Sequence, residues 1–500
     1  MSTARLDFRG GVDVELSATA NRGGWSSSNL IRFREGKPEK MRGWQRQSDA
    51  MVGPGGVGVC RSMHWWTDLS RRIWLALGIN TGLQIFYQGN FFAITPLGYA
   101  PGLPSSAAAM PYTLRIWSLD NFGEFLLAVP SNGPLYVWMP TLPLPGTLAT
   151  LVAGAPALSQ GMFVANPQQI VVAYGASAGS GTQRDPLLLR WSDQSDYTDW
   201  TVTTTNQAGS FRLSRGSRII GGINAPLGAL IWTDLDIWSM TYQGFPLVWN
   251  IQQLSQNCGL IAQGAVGMLG GNIYWMSDHG FFTLGPGGAV QIPCTVWDFV
   301  YLDLDDANAD KCIAAPNFHF SEIAWYFPSK SGGTGEIDSY VKYNIAENKW
   351  DFGRSAQYAR TAWTDQNQNA PPFSVDLPGH LQQQDIGFDA DGEPMAGVSV
   401  ISGFADMADG GMNQRVRRFY PDFLFTDAPE SALEVSLLIR YFEGDTPQIV
   451  GPFTVTPQTR YITLNARGRE VALQIASDAA ATWWRVGTPR MRVQPAGSRP

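Results

Sequence analysis

The chain has 500 residues, 44% hydrophobic and only 15% charged, with 54 Gly, 32 Pro and 19 Trp. Few charges beside many turn-formers and aromatics exclude a disordered or coiled-coil chain and suit short strands joined by tight turns. A net charge of −7, with residues 401–500 close to neutral, argues against a protein that grips nucleic acid through a basic face. It does not exclude one that nucleic acid slides past.

In chain order, Met1–Leu16 lacks the apolar stretch of a secretory signal, and no later run approaches the roughly 18 apolar residues of a membrane span. The chain is therefore expected to be made in a cytoplasm, with no membrane span. Residues 1–55 hold turns and one alternating strand, Asn29–Arg34, followed by a turn at Glu35–Gly36. They are expected to pack with the C-terminal strands.

From residue 56 to 398 one pattern recurs: an apolar β run, a Gly/Asp/Asn turn, then a second, aromatic run. It occurs at Ile73–Gly78 with Leu83–Tyr87, at Phe125–Val129 with Leu135–Trp138, and at Ile170–Tyr174 with Leu187–Trp191. It recurs at Ala229–Trp232 with Ile237–Tyr242, at Ile273–Met276 with Gly280–Leu284, and at Ile323–Phe327 with Tyr340–Tyr343. A weaker unit sits near His380–Phe388. Units begin roughly 45–60 residues apart, the spacing of propeller blades rather than of helical repeats. A small four-stranded sheet cannot bury both faces alone, and radial stacking of such sheets does so while leaving short edges. The expected fold is therefore all-β: a β-propeller of six to eight blades, seven by preference. Trp and Tyr at blade ends should fill the wedges between sheets.

Residues 364–380, rich in Pro, Asn and Gln, read as a loop. Beyond residue 399 the strands lengthen: Leu433–Tyr441, Gly451–Val455, Tyr461–Leu464, Glu470–Ala476 and Arg490–Val493. They predict a C-terminal β-sandwich-like module over 399–500. Helix is hinted at only by Ala107–Ala109 and Asp305–Lys311.

The chemistry-bearing residues read mainly as structure. Cys60, Cys258, Cys294 and Cys312 are far apart and lack metal-ligand spacing, so they read as small buried hydrophobes. His64, His279, His319 and His380 are scattered and fall in no triad motif. Ser192–Trp200 approaches a Ser-x-Asp-x-Gly-x-x-Trp turn but lacks its Gly, and reads as a structural turn. Asp303–Asp310 lacks the Gly and closing Glu of a calcium loop. Residues 53–58 and 285–288 are Gly-rich hairpin loops that precede no helix, so they are no phosphate cradle. Glu322 and Glu336 are the candidates for a glycosidase carboxylate pair, with an ion pair to Arg as the competing role for Glu322. Only 6 of the 35 basic residues are Lys. An Arg excess suits subunit interfaces, and genome composition produces the same bias. No catalytic, cofactor-binding or metal-ligating residue is assigned, and the chain is not expected to be an enzyme.

The wording of several segments resembles the tail nozzle (tail hub, or packaged-DNA stabilisation) proteins of short-tailed bacteriophages. The segments are Gly23–Trp25, Ile31–Trp44, Arg190–Trp200, Leu230–Gly244, Asn257–Ala262, Tyr274–Phe282, Ile292–Val300 and Phe320–Trp350, then Arg417–Phe423, Arg467–Arg469 and Trp484–Thr488. The likeness lies in their order and spacing over most of the chain. It implies a structural virion tail protein made in the host bacterial cytoplasm and assembled as a homohexamer below an adaptor (head-to-tail connector) ring. Such a ring extends the DNA ejection channel, helps hold packaged double-stranded DNA without reading its sequence, and docks tail fibres or spikes. It implies no catalysis. The alternative function is a carbohydrate-binding or carbohydrate-cleaving propeller, and a third is a monomeric propeller scaffold.

Overall fold

The computed structural model describes residues 2–17, 20–103, 111–144, 146–178, 181, 183–226, 228–365, 370–407, 412–426, 431–480 and 482–497. Almost all regular structure in it is antiparallel β. Six successive stretches each fold as a four-stranded meander. The first sheet is Cys60–Thr67, Ile73–Ile79, Gly82–Tyr87 and Asn90–Ala93, and the second is Trp117–Phe122, Phe125–Pro130, Tyr136–Trp138 and Thr150–Leu151. The third comprises Gly161–Ala165, Ile170–Tyr174, Leu188–Trp191 and Gly209–Arg212, and the fourth Ile219–Ala225, Gly228–Thr233, Ile237–Gly244 and Val248–Ser255. The fifth is Val266–Leu269, Asn272–Met276, Phe281–Gly285 and Gly288–Ile292, and the sixth Ile313–Asn317, Glu322–Pro328, Ile337–Asn344 and Lys349–Arg354.

The seventh sheet has Arg360–Thr364, Phe373–Asp376 and Leu381–Gln384 as its first three strands, and its fourth comes from the other end of the chain. Trp44–Arg46 pairs antiparallel with it, Trp44 opposite Gln384 and Arg46 opposite Gln382. So part of the 1–55 segment, expected to join the C-terminal module, completes a sheet of the repeat instead. Phe373–Asp376 lies inside the 364–380 stretch read as a loop. Its alternation, with Val375 buried and Phe373 half-buried, is enough to form a strand despite the flanking prolines. The centre of that loop, 366–369, and the helix hint at Ala107–Ala109 fall outside the described residues. The hint at Asp305–Lys311 is a 3-10 turn over Asp306–Lys311.

Local chemistry explains the meanders. The hairpin between Leu269 and Asn272 turns on Gly270 and Gly271, at φ of +59° and +81°, the left-handed pair that a two-residue hairpin requires. The second and third strands are apolar on both faces because each sheet is covered on both sides. Glu322–Pro328 is buried at every position. Tryptophans tie neighbouring sheets together through both ring and indole N–H. Trp325 donates to the carbonyl of Ala265 at 3.1 Å, Trp350 to that of Pro293 at 2.8 Å and Trp363 to that of Pro316 at 2.7 Å. Between the first two sheets, Trp117 donates to Ile79 and Trp66 to Glu124, at 2.9 and 3.1 Å. Each such ring keeps its polar atom satisfied while burying a large apolar body. Gly78 lets Trp117 approach, since a Cβ there would lie 2.7 Å from the Trp117 side chain.

The N- and C-terminal strands interleave in three further sheets. Ser2–Arg5 pairs with Arg490–Pro495, Trp25–Asn29 with Val398–Ser402, and Lys37–Lys40 meets Trp484–Val486. The expected single strand Asn29–Arg34 is broken at Leu30, whose φ is +55°, so that Trp25–Asn29 and Ile31–Arg34 enter different sheets. One continuous core runs from this module through the fifth and sixth sheets, including Trp25, Trp484, Trp275, Trp325 and Trp350.

Candidate functional site

The first strands of the sheets pack side by side. Cys60–Thr67 touches Arg360–Thr364 on one side and Trp117–Phe122 on the other, and the contacts continue through Gly161–Ala165 to Ile219–Ala225. All seven first strands, or the turn just ahead of them, line one cavity of about 610 Å³. Its polar wall is mixed. His64 Nε2 lies 3.0 Å from Asn121 Oδ1 and 3.9 Å from Asp120 Oδ1. Asp120 Oδ2 accepts from the Val164 amide at 2.8 Å. Burial raises the Asp120 pKa, opposed by His64 and by two backbone amides. On the seventh-sheet side, burial pushes Asp365 up to about 6, opposed by the bond its carboxylate accepts from the Phe318 amide. Gln263 donates to Ser118 Oγ at 2.7 Å, which lies 3.3 Å from the Tyr174 hydroxyl. Ser62 Oγ, Gln263 Oε1 and Asp365 Oδ1 are buried with no hydrogen-bond partner among the described residues, which is the signature of ordered water or of a small polar ligand.

An ion triad braces this wall. Arg61, on the first strand of the first sheet, donates to both oxygens of Glu336 at 2.8 and 3.0 Å. Lys311 Nζ reaches the same carboxylate at 2.8 Å. Glu336 immediately precedes the third strand of the sixth sheet, so the triad spans non-neighbouring sheets.

A second buried cluster sits where the N-terminal strands meet the sixth and seventh sheets. Arg32 Nε donates to Glu322 at 2.9 and 3.0 Å and its Nη2 to Asp385 at 3.1 Å. The guanidinium also stacks over Phe320, 3.4 Å from the ring centroid. Burial alone would lower the Arg32 pKa, but Asp385 and Glu322 outweigh it and raise it. Lys342 lies 3.6 Å from Glu322 and 3.5 Å from Asp351. Asp351 is pushed up to about 7 by burial, against the pull of Lys342.

The two glutamates singled out from sequence are thus both engaged with cations, Glu322 with Arg32 and Glu336 with Arg61 and Lys311, in separate clusters. Ser192–Trp200 is a turn scaffold: Asp193 accepts from the Gln194 and Gln207 amides, and Asp196 from the Thr198 amide and hydroxyl. Within Asp303–Asp310, Asp305 caps the 3-10 turn and Asp303 accepts from Ser331 and Arg354. Asp310 is pushed up to about 6 by burial, opposed by Arg218. Burial raises the thiols of Cys258 to about 11 and of Cys60 and Cys294 to about 12, and raises Cys312 as well. The histidines stand apart. His64 faces the cavity, His279 pairs with its neighbour Asp278, His380 lies 3.0 Å from Asp376, and His319 lies in the 3-10 turn Phe318–Phe320.

No family model and no curated protein matches the chain. Among solved structures it is similar to the computationally designed Ika8 protein, with 10% identity and a TM-score of 0.39, covering 75% of this chain and 99% of that one. It is also similar to a protein from Bacteroides fragilis described as exported, with 11% identity and a TM-score of 0.28, covering 47% of this chain and 70% of that one. Among the described residues no helix is long and apolar enough to cross a membrane.

Proposed function

We propose that the seven four-stranded sheets close as a seven-bladed β-propeller, and that the chain is a tail nozzle (hub) subunit of a short-tailed bacteriophage. In this reading six copies form a ring below the adaptor, extend the DNA channel, help retain packaged DNA and dock fibres or spikes on the outside. The role is mechanical, and the chain is not an enzyme. The resemblance set out above supplies the phage context.

The observation that carries the assembly reading is the set of edge strands in the N/C-terminal module. Three of its sheets end in a C-terminal edge strand: Phe423–Phe425, Gln448–Val455 and Ile462–Gly468. Apolar side chains sit exposed on or beside these edges, with Leu424 at 59%, Ile449 at 61% and Tyr461 at 49%. Unprotected edges of this kind are templates for another chain. The test is mass photometry and negative-stain imaging of the full chain, alone and with the adaptor ring. Six-fold rings with a central pore are expected. A chain that stays monomeric on the adaptor ring overturns the reading.

One observation favours the alternative, a carbohydrate-binding or carbohydrate-cleaving propeller: the central cavity carries Asp120, Asp365, His64 and Asn121. Glycan binding or cleavage by the full chain, abolished by Asp120→Asn, would favour it over the nozzle.

A further inference from the structure

A second cavity, of about 380 Å³, opens where the N-terminal strands meet the C-terminal module. Arg34, Arg42 and Arg485 supply its charge, and Phe320, Phe388, Phe425 and Trp483 its aromatic surface. Among the described residues the single acid in its lining, Glu39, is already bound by Arg485 at 2.7 Å. Arg34 and Arg42 are exposed and have no ion-pair partner among the described residues. The site is therefore cationic and aromatic together, and it suits a carboxylate borne next to an aromatic ring.

The same chain exposes that chemistry elsewhere. The hairpin joining Leu433–Arg440 to Gln448–Val455 has the tip Tyr441–Phe442–Glu443–Gly444–Asp445. Tyr441 is 37% exposed and Phe442 45%. Glu443 is exposed and forms no ion pair among the described residues, while Asp445 holds the tip by accepting from the Phe442 amide at 2.8 Å. The tip does not line the cavity of its own chain.

We propose that the 441–445 tip of one copy docks in the Arg34/Arg42 cavity of the next, Glu443 meeting the arginines and an aromatic ring meeting Phe388 and Trp483. Tip and cavity are different surfaces, so the contact is heterologous, the type that generates rings when the rotation closes. This rests on the ring reading above and names the contact that builds it.

The experiment uses the full chain with a benzoylphenylalanine photo-crosslinker replacing Phe442, and maps crosslinks by mass spectrometry beside a sedimentation series. The expected result is intermolecular crosslinks to peptides holding Arg42 or Trp483. Their yield should fall about tenfold in Arg42→Glu and recover when Glu443→Arg is added, as a reversed charge pair should. Both positions are exposed, and matching thermal melts of the variants confirm folding. Intramolecular crosslinks only, crosslinks to other surfaces, or no recovery in the double variant would overturn the docking. Rings with crosslinks elsewhere leave the ring reading standing and remove this contact. Crosslinks at Arg42 without rings do the reverse.

Discussion

Trp44 stands opposite Gln384 in antiparallel register, so that a three-residue strand near the N-terminus completes a sheet whose other strands begin at Arg360. The Trp44 ring is buried and carries the Arg360 guanidinium at 4.7 Å. The two ends of the repeat are thereby fastened by backbone hydrogen bonds and by one large ring. Trp44→Ala should cost about 3–5 kcal/mol, as for other buried aromatics. Urea denaturation would measure it. A loss under about 1 kcal/mol would mean that the last sheet holds without its fourth strand.

Trp325 and Trp350 stack at 6.2 Å, with Phe281 of the fifth sheet 4.7 and 4.8 Å from them. Trp325→Ala should cost about 3–5 kcal/mol and reduce solubility and assembly together. Trp325→Phe keeps most of the ring and loses the bond to Ala265, so about 1–2 kcal/mol is expected. Melting of the purified variants separates the two.

Breaking the Arg32–Glu322 pair leaves a buried guanidinium facing Asp385 alone. Glu322→Ala should destabilise by roughly 3–5 kcal/mol. The double change Arg32→Met with Glu322→Met should cost clearly less than the sum of its parts, because it removes both members of the pair and leaves Lys342 beside Asp351 and Asp385 with the bond from Asn317. A double-mutant cycle by denaturant titration reads the coupling.

Asp351 gives a pH dependence with a definite sign. Its folded pKa, about 7, lies above its unfolded value, so the folded state prefers the protonated carboxyl. Its contribution to stability is fully present below about pH 4 and is lost as pH rises through 7. Asp351→Asn should therefore gain on the wild type between pH 5 and 7.5, by roughly 2–4 kcal/mol at most. Thermal melts across that range check it, and a gap between the two that does not change with pH would contradict it.

Six sheets were legible in the sequence because their second and third strands, such as Ile323–Phe327 with Tyr340–Tyr343, are buried on both faces and read as apolar runs. First strands were not. They face a cavity of mixed polar and apolar lining on one side, so Trp117–Phe122 mixes Trp117 and Leu119 with Asp120 and Asn121. Outer strands such as Gly209–Arg212 are largely exposed and carry little pattern. Trp44–Arg46, the fourth strand of the seventh sheet, was illegible because its partner lies at the far end of the repeat. Glu322 could be read as a carboxylate awaiting an Arg, but only the fold chooses Arg32. The cavity among the first strands is assembled from seven separated segments, and no local motif announces it.

The central proposal, a nozzle subunit of a short-tailed phage, is tested most directly by a virion reconstruction in which this chain is located. The account predicts six copies around the tail axis below the adaptor, each with a seven-bladed propeller. It also predicts a lumen that is acidic or neutral, with Arg mostly in subunit interfaces. A chain lying off the tail axis would contradict the nozzle assignment. A pore lined by rings of Arg with DNA held tightly against them would replace the sliding conduit with a protein that grips DNA.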